Sequence, residues 1–274
     1  MHNSAEYLRN GPAVRFLRKY VCNPPALLAA LILGTLIYSG SEAGSYASLG
    51  YFDLLGGLQT AYILSLAAYL TPVLVCFPYI LRFSGEMREG YAVFGMLRAG
   101  RGRYPARKLR DAMVSGAMTM LMGVMIYTIL AVVYCARNGM SVSCNGDGFF
   151  GDSYNPGMGI YSEWVVTGNG WAVYIANILF LMSYSMFWCV AGTVLSAFVK
   201  NSRIAIILPF LLDQILIYVV PDKCTFLLPV HLRLDAWAQE LSYGGLWYVV
   251  LYVMVSFLAG WAIIFGKLSV EAVR

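Results

Sequence analysis

The chain has 274 residues, of which 59% are hydrophobic and only 12% charged, with a mean hydropathy of +0.67. A water-soluble domain keeps roughly a quarter of its residues charged because its surface faces water, so this composition excludes a soluble globule and predicts an all-α integral membrane protein. The net charge of +5 does not point to nucleic acid, because the basic residues cluster beside apolar segments and form no patch on a soluble domain.

In chain order, residues 1–22 read as an interfacial helix. Pro12 opens it, Val14, Leu17 and Val21 share one face, and Arg15, Arg18 and Lys19 lie beside them. Spans follow at about Pro25–Tyr38, Leu54–Leu81, Met113–Cys135, Trp171–Val199, Ile204–Val220 and Leu246–Phe265, against the roughly 20 apolar residues that a crossing needs. The first is short and is read as a retained signal anchor, while the second carries Pro72 and Pro78, where a kink is expected. Gly34, Gly116 and Gly123 suit close helix packing. Residues 138–170 are rich in Gly, Asn, Ser and Asp and read as an external loop. Residues 221–243 are too long and apolar for a simple loop and read as an external re-entrant or interfacial hairpin broken at Pro229. The whole chain, 1–274, is thus one transmembrane domain of six helices.

Orientation follows from the basic residues. With both termini cytoplasmic, all of the 19 Lys and Arg residues except Arg137, Lys223 and Arg233 fall inside, as the positive-inside rule requires. An odd number of spans would destroy that bias.

The cytoplasmic loop 84–111 is the most distinctive segment. Glu86 and Glu89 come early, Tyr91, Phe94 and Leu97 recur at helical spacing, and Gly100-Arg101-Gly102-Arg103 breaks the helix before Pro105 restarts one. A proline at Val93 is expected to break that short helix. Glu86 or Glu89, Gly90, Arg98, Tyr104 and Lys108 resemble the pattern after the second span of type-2 ABC exporter permeases. The six-span plan, the N-terminal helix and the hairpin before the sixth span are also similar to that family. The family's usual Pro and Ser/Thr in the turn are replaced by Gly-Arg-Gly-Arg. The resemblance implies a coupling helix that contacts a separate ATPase through Glu86, Glu89, Gly90, Phe94, Arg98, Arg101, Arg103 and Tyr104. It also implies a second permease copy or a related permease, a cell (inner or plasma) membrane, and a peptide, lipid, drug or glycan as cargo.

Catalytic chemistry is not expected in this chain. No phosphate-binding G-x-x-x-x-G-K-[ST] loop occurs, so ATP and Mg would sit on the partner subunit. Two histidines, no G-x-S-x-G and no CxxC pair leave no catalytic set and no metal site. Asp213 is the one ionisable residue well inside a span, with Gln214 beside it. A charge there costs about 2.5–3.5 kcal/mol on the insertion scale, so it must be neutralised, paired or facing a cavity. Asp213 and Gln214, with Tyr62, Tyr69 and Tyr127, are candidates for a substrate path, and helix packing is the competing role. A proton-coupled carrier using Asp213 and a non-transporting scaffold are the alternative functions. Cys144 and Cys224 fall in the external segments, where a disulfide is chemically allowed.

Overall fold

Apolar runs in lipid have no water to satisfy their backbone, so they close their hydrogen bonds within helices. A computed structural model of the chain describes residues 12–41, 50–64, 66–100, 102–144, 169–199, 201–219 and 246–271. Helix α1 (Pro12–Phe16) passes into a π-helical turn (Leu17–Val21), and α2 (Pro24–Gly40) follows. Strand β1 (Tyr51–Asp53) leads into α3 (Leu54–Leu64) and α4 (Leu66–Arg88). After the short α5 (Tyr91–Ala99) come α6 (Arg103–Asn138), β2 (Ser141–Ser143), α7 (Gly170–Phe198), α8 (Ser202–Val219) and α9 (Leu246–Glu271).

Five of these helices (α4, α6, α7, α8 and α9) are long and apolar enough to cross a membrane, and α2 joined to the segment before it makes a sixth if that pair, bent by 59°, is one span. Alone, α2 has 17 residues, roughly 25 Å at 1.5 Å per residue, just short of a hydrocarbon core about 30 Å thick. The outward faces are mainly apolar: Leu28, Leu31, Ile129, Ile175, Ile207 and Leu258 are all exposed. Such a surface belongs in lipid. The chain is a multi-pass helical membrane protein.

The second span is built from α3 and α4. Pro72 and Pro78 both sit inside α4. Neighbouring groups support the proline-containing turns: the Thr71 hydroxyl donates to the Ala67 carbonyl at 2.6 Å, and the Cys189 thiol of α7 donates to the Val75 carbonyl at 3.2 Å. Three contacts mark successive levels along α6. The Tyr79 hydroxyl donates to the Lys108 carbonyl at 2.7 Å, the Tyr62 hydroxyl lies 3.5 Å from the Met120 sulfur, and the Tyr127 hydroxyl donates to the Leu54 carbonyl at 3.0 Å. So α3 and α4 together run antiparallel beside α6 along its length.

Helix α7 lies at the centre, packed against α4, α6, α8 and α9, with Phe180, Tyr184 and Trp188 buried. Glycines set the closest approaches. A Cβ on Gly34 of α2 would lie 2.6 Å from the Gly123 carbonyl of α6, and one on Gly116 would lie 2.8 Å from the Ser185 carbonyl of α7. Gly192 meets Ile80 and Pro209, and Gly260 meets Val190, two close contacts that the sequence reading passed over.

One end of the bundle gathers every described Lys and Arg except Arg137. At the other end β1 and β2 form a parallel pair, Tyr51 opposite Ser141 and Asp53 opposite Ser143. This pair lies partly within the segment expected to be an external loop. Three residues a side leave no periodicity to read. Asp53 then caps α3, its carboxylate accepting from the Leu55 and Gly56 amides at 3.3 and 3.0 Å. Residues 1–11 of the expected interfacial helix, most of the 138–170 loop and the 221–243 hairpin lie outside the described residues.

Candidate functional site

The basic end carries a short helix mounted between two glycine reversals. Gly90 (φ 74°) turns the chain out of α4 and Gly100 (φ 92°) turns it out of α5. Both angles are in the left-handed region, where any Cβ is strained. The ends of α5 are satisfied by backbone: the Val93 amide donates to the Gly90 carbonyl at 3.2 Å and the Gly100 amide to the Met96 carbonyl at 3.0 Å.

The two faces of α5 differ. Ala92 and Met96 point inward and are buried with Tyr104 and Leu109 of α6 and Ile264 and Leu268 of α9. Gly95 lies on the Tyr104 ring so closely that a Cβ there would come within 3.0 Å of it. On the outer face Tyr91, Phe94 and Leu97 are 61, 69 and 62% exposed, an apolar stripe with no partner among the described residues.

Beneath α5, polar contacts fix its mounting. Glu86 of α4 forms an ion pair with the Lys108 ammonium, accepts from the Tyr104 hydroxyl at 3.3 Å and lies 3.5 Å from Arg82. The Lys108 ammonium also sits 5.4 Å from the Tyr104 ring centre. From α9, the Trp261 indole donates to the Gly102 carbonyl at 3.0 Å and pins the turn between α5 and α6. The N-terminal segment is tied in the same way: Lys19 meets Asp111 of α6 at 2.7 Å, and the Tyr20 hydroxyl donates to the other Asp111 oxygen at 2.7 Å.

The residues expected to meet an ATPase therefore fall into two groups. Glu89, Phe94, Arg98 and Arg103 are exposed around α5. Glu86 and Tyr104 are engaged within the chain and Gly90 is a backbone reversal, so these three position α5. Arg101 lies outside the described residues. The sequence places Lys19 beside the interfacial helix and Arg82 among the topology charges, and it assigns no pairing to Tyr20, Asp111 or Trp261. An Asp directly after the basic run 107–110 was the available signal, since an acid there invites a pair.

The candidate substrate-path residues are spread through the bundle. Tyr62 and Tyr127 are fully buried at the contact of α3 with α6, and Tyr69 is 45% exposed on the outer surface. Asp213 is fully buried on α8, and the Tyr184 hydroxyl of α7 is 3.5 Å from its carboxylate. Gln214 beside it is half-buried. Cys144 is a buried free thiol, while Cys224 lies outside the described residues. Among the described residues no three His, Cys, Asp or Glu side chains converge as a metal site would require. Comparison with family models, curated proteins and solved structures gave no match.

Proposed function

We propose that the chain is the membrane-spanning subunit of an ABC-type exporter, and that α5 is the element through which a separate ATPase drives it. One observation carries the reading. A two-turn helix presents Tyr91, Phe94 and Leu97 outward, while its inner face and both ends are locked to α4, α6 and α9. A force applied to such a helix is transmitted to those spans without being absorbed by the loop. Exposed Glu89, Arg98 and Arg103 around the stripe supply charges that orient a partner.

In this reading six spans cross the membrane, both termini and α5 face the cytoplasm, and the gathering of basic residues at one end sets that orientation. Two permeases, identical or related, enclose the path, and ATP and Mg bind on the partner subunits. The test is purification in mild detergent with the neighbouring gene products, followed by an ATPase assay. Co-purification of a nucleotide-binding subunit whose hydrolysis responds to the permease supports the reading. A wild-type complex without such a subunit overturns it.

A second reading rests on Asp213, whose carboxyl is fully buried at membrane depth against Tyr184. There the protein is a secondary carrier and Asp213 carries a coupling proton. It predicts transport that follows a proton gradient, needs no ATPase and is abolished by Asp213→Asn.

A further inference from the structure

A cavity of about 540 Å³ opens at the basic end between the N-terminal π-helical turn, α4, α5 and α6. That volume falls within the roughly 300–1,000 Å³ of ligand clefts. Its wall carries five cations from four separate elements: Lys19 from the π turn, Arg82 from α4, Arg98 from α5, and Arg107 and Lys108 from α6. Convergence from four elements is a property of the fold, whereas a topology signal needs only charges along one loop.

Two carboxylates answer these five cations. Asp111, on the wall, is held by Lys19 at 2.7 Å, and Glu86, just beneath, is held by Lys108. Arg82 reaches Glu86 only at 3.5 Å, on a carboxylate already taken. Arg98 and Arg107 make no ion pair among the described residues. The cavity therefore holds a surplus of positive charge, with planar guanidinium groups suited to bidentate contact with phosphate.

We infer that this cavity binds the phosphate of an acidic phospholipid whose acyl chains remain in the adjoining leaflet. The rim decides for a lipid. Beside Lys19, the N-terminal segment leaves Val14, Phe16 and Leu17 40–49% exposed, an apolar flank next to the cationic wall. A headgroup in the cavity with its tails along that flank satisfies both surfaces. The site depends on the membrane location of the chain and not on its coupling to an ATPase. An acidic lipid there bridges the π-helical turn, α4, α5 and α6, so it would also stiffen the mounting of α5.

The test uses the full chain equilibrated in nanodiscs of equimolar phosphatidylglycerol and phosphatidylcholine, with the lipids retained on detergent extraction counted by native mass spectrometry. Wild type should retain phosphatidylglycerol preferentially. Replacing two cations near an acidic lipid should reduce that preference about tenfold or more, as read in Arg98→Gln/Arg107→Gln. Both side chains are exposed, so the core is untouched. Arg98→Lys/Arg107→Lys keeps the charge and should recover most of the preference. Arg110→Gln/Arg203→Gln, which removes the same charge from the same end outside the cavity, should leave it intact. Equal retention of both lipids by wild type, or equal losses in the cavity and control variants, overturns the proposal. Displacement of the lipid by inorganic phosphate alone would make this a small-anion site and also defeat it. So would loss of ATPase co-purification in the cavity variant with lipid retention unchanged, because the cavity would then serve a protein partner.

Discussion

The mounting of α5 can be tested through the Glu86–Lys108 pair. Its side chains are 24 and 18% exposed, between the surface pairs worth about 0–1 kcal/mol and the buried ones whose disruption costs about 3–5 kcal/mol. Glu86→Gln removes the carboxylate charge that faces Lys108, weakens the acceptor for Tyr104 at 3.3 Å and leaves Arg82 without its 3.5 Å partner. A cost of about 2–3 kcal/mol follows for the uncompensated, part-buried ammonium and the weakened hydrogen bond. At about 2–4 °C per kcal/mol in a chain of this size, the thermal midpoint should fall by about 4–12 °C. Lys108→Met should cost a similar amount, and Glu86→Gln/Lys108→Met less than the sum of the two, since neither variant charge remains uncompensated. The assay is thermal unfolding in detergent at fixed lipid content, with limited trypsin cleavage at Arg98 reporting release of α5. Cleavage should accelerate in each single variant and slow again in the double. Strictly additive costs, each below about 0.5 kcal/mol, would refute the claim that this pair holds α5 in place.

Three further outcomes follow from the geometry. Val93 lies in the first turn of α5, where its amide makes only the 3.2 Å bond to Gly90, so proline there should disturb the helix less than the sequence reading expects. Leu97→Pro, in the last turn but with the ring directed at the Val93 carbonyl, should unfold α5 and abolish ATPase stimulation while the protein still inserts. Gly34→Val should lower stability by about 1–3 kcal/mol in denaturant titration, because a Cβ would lie 2.6 Å from the Gly123 carbonyl and backbone cannot step aside. Burial, reinforced by Asp53, pushes the Cys144 thiol up to about 12, so it should resist maleimide at pH 8 in the folded protein and react once unfolded, where thiols titrate near 8.5. The raised value also means that its contribution to stability is complete below about pH 8.5 and is lost as pH climbs from there towards about 12. A Cys144–Cys224 disulfide would leave that thiol unreactive even in the unfolded, unreduced protein.

The spans were legible because lipid imposes a single strong pattern: long apolar runs, small residues at contacts and basic residues gathered at one end. Gly34, Gly116 and Gly123 could be read as packing positions because a missing side chain inside an apolar run has few other uses. The helical spacing of Tyr91, Phe94 and Leu97 located α5, but the sequence did not separate its faces, since Ala92 and Met96 carry no more apolar signal than the exposed stripe. Pro72 and Pro78 mark α4 as a place to bend, but the support of its backbone by the Cys189 thiol at the Val75 carbonyl comes from 114 residues away and leaves no local trace. The roles of Glu86, Lys108, Lys19 and Asp111 rest on contacts 22 and 92 residues apart, and local spacing carries no trace of such pairings.

The proposal that α5 couples this chain to an ATPase is tested most directly by a photo-reactive amino acid at Phe94, 69% exposed at the centre of the outer stripe. Irradiation of cells expressing the chain with its neighbouring gene products should yield one cross-link to a nucleotide-binding subunit. The same group at Met96, buried on the opposite face, should yield none. Cross-links from Phe94 to lipid alone, with no protein adduct, would contradict the coupling role of α5.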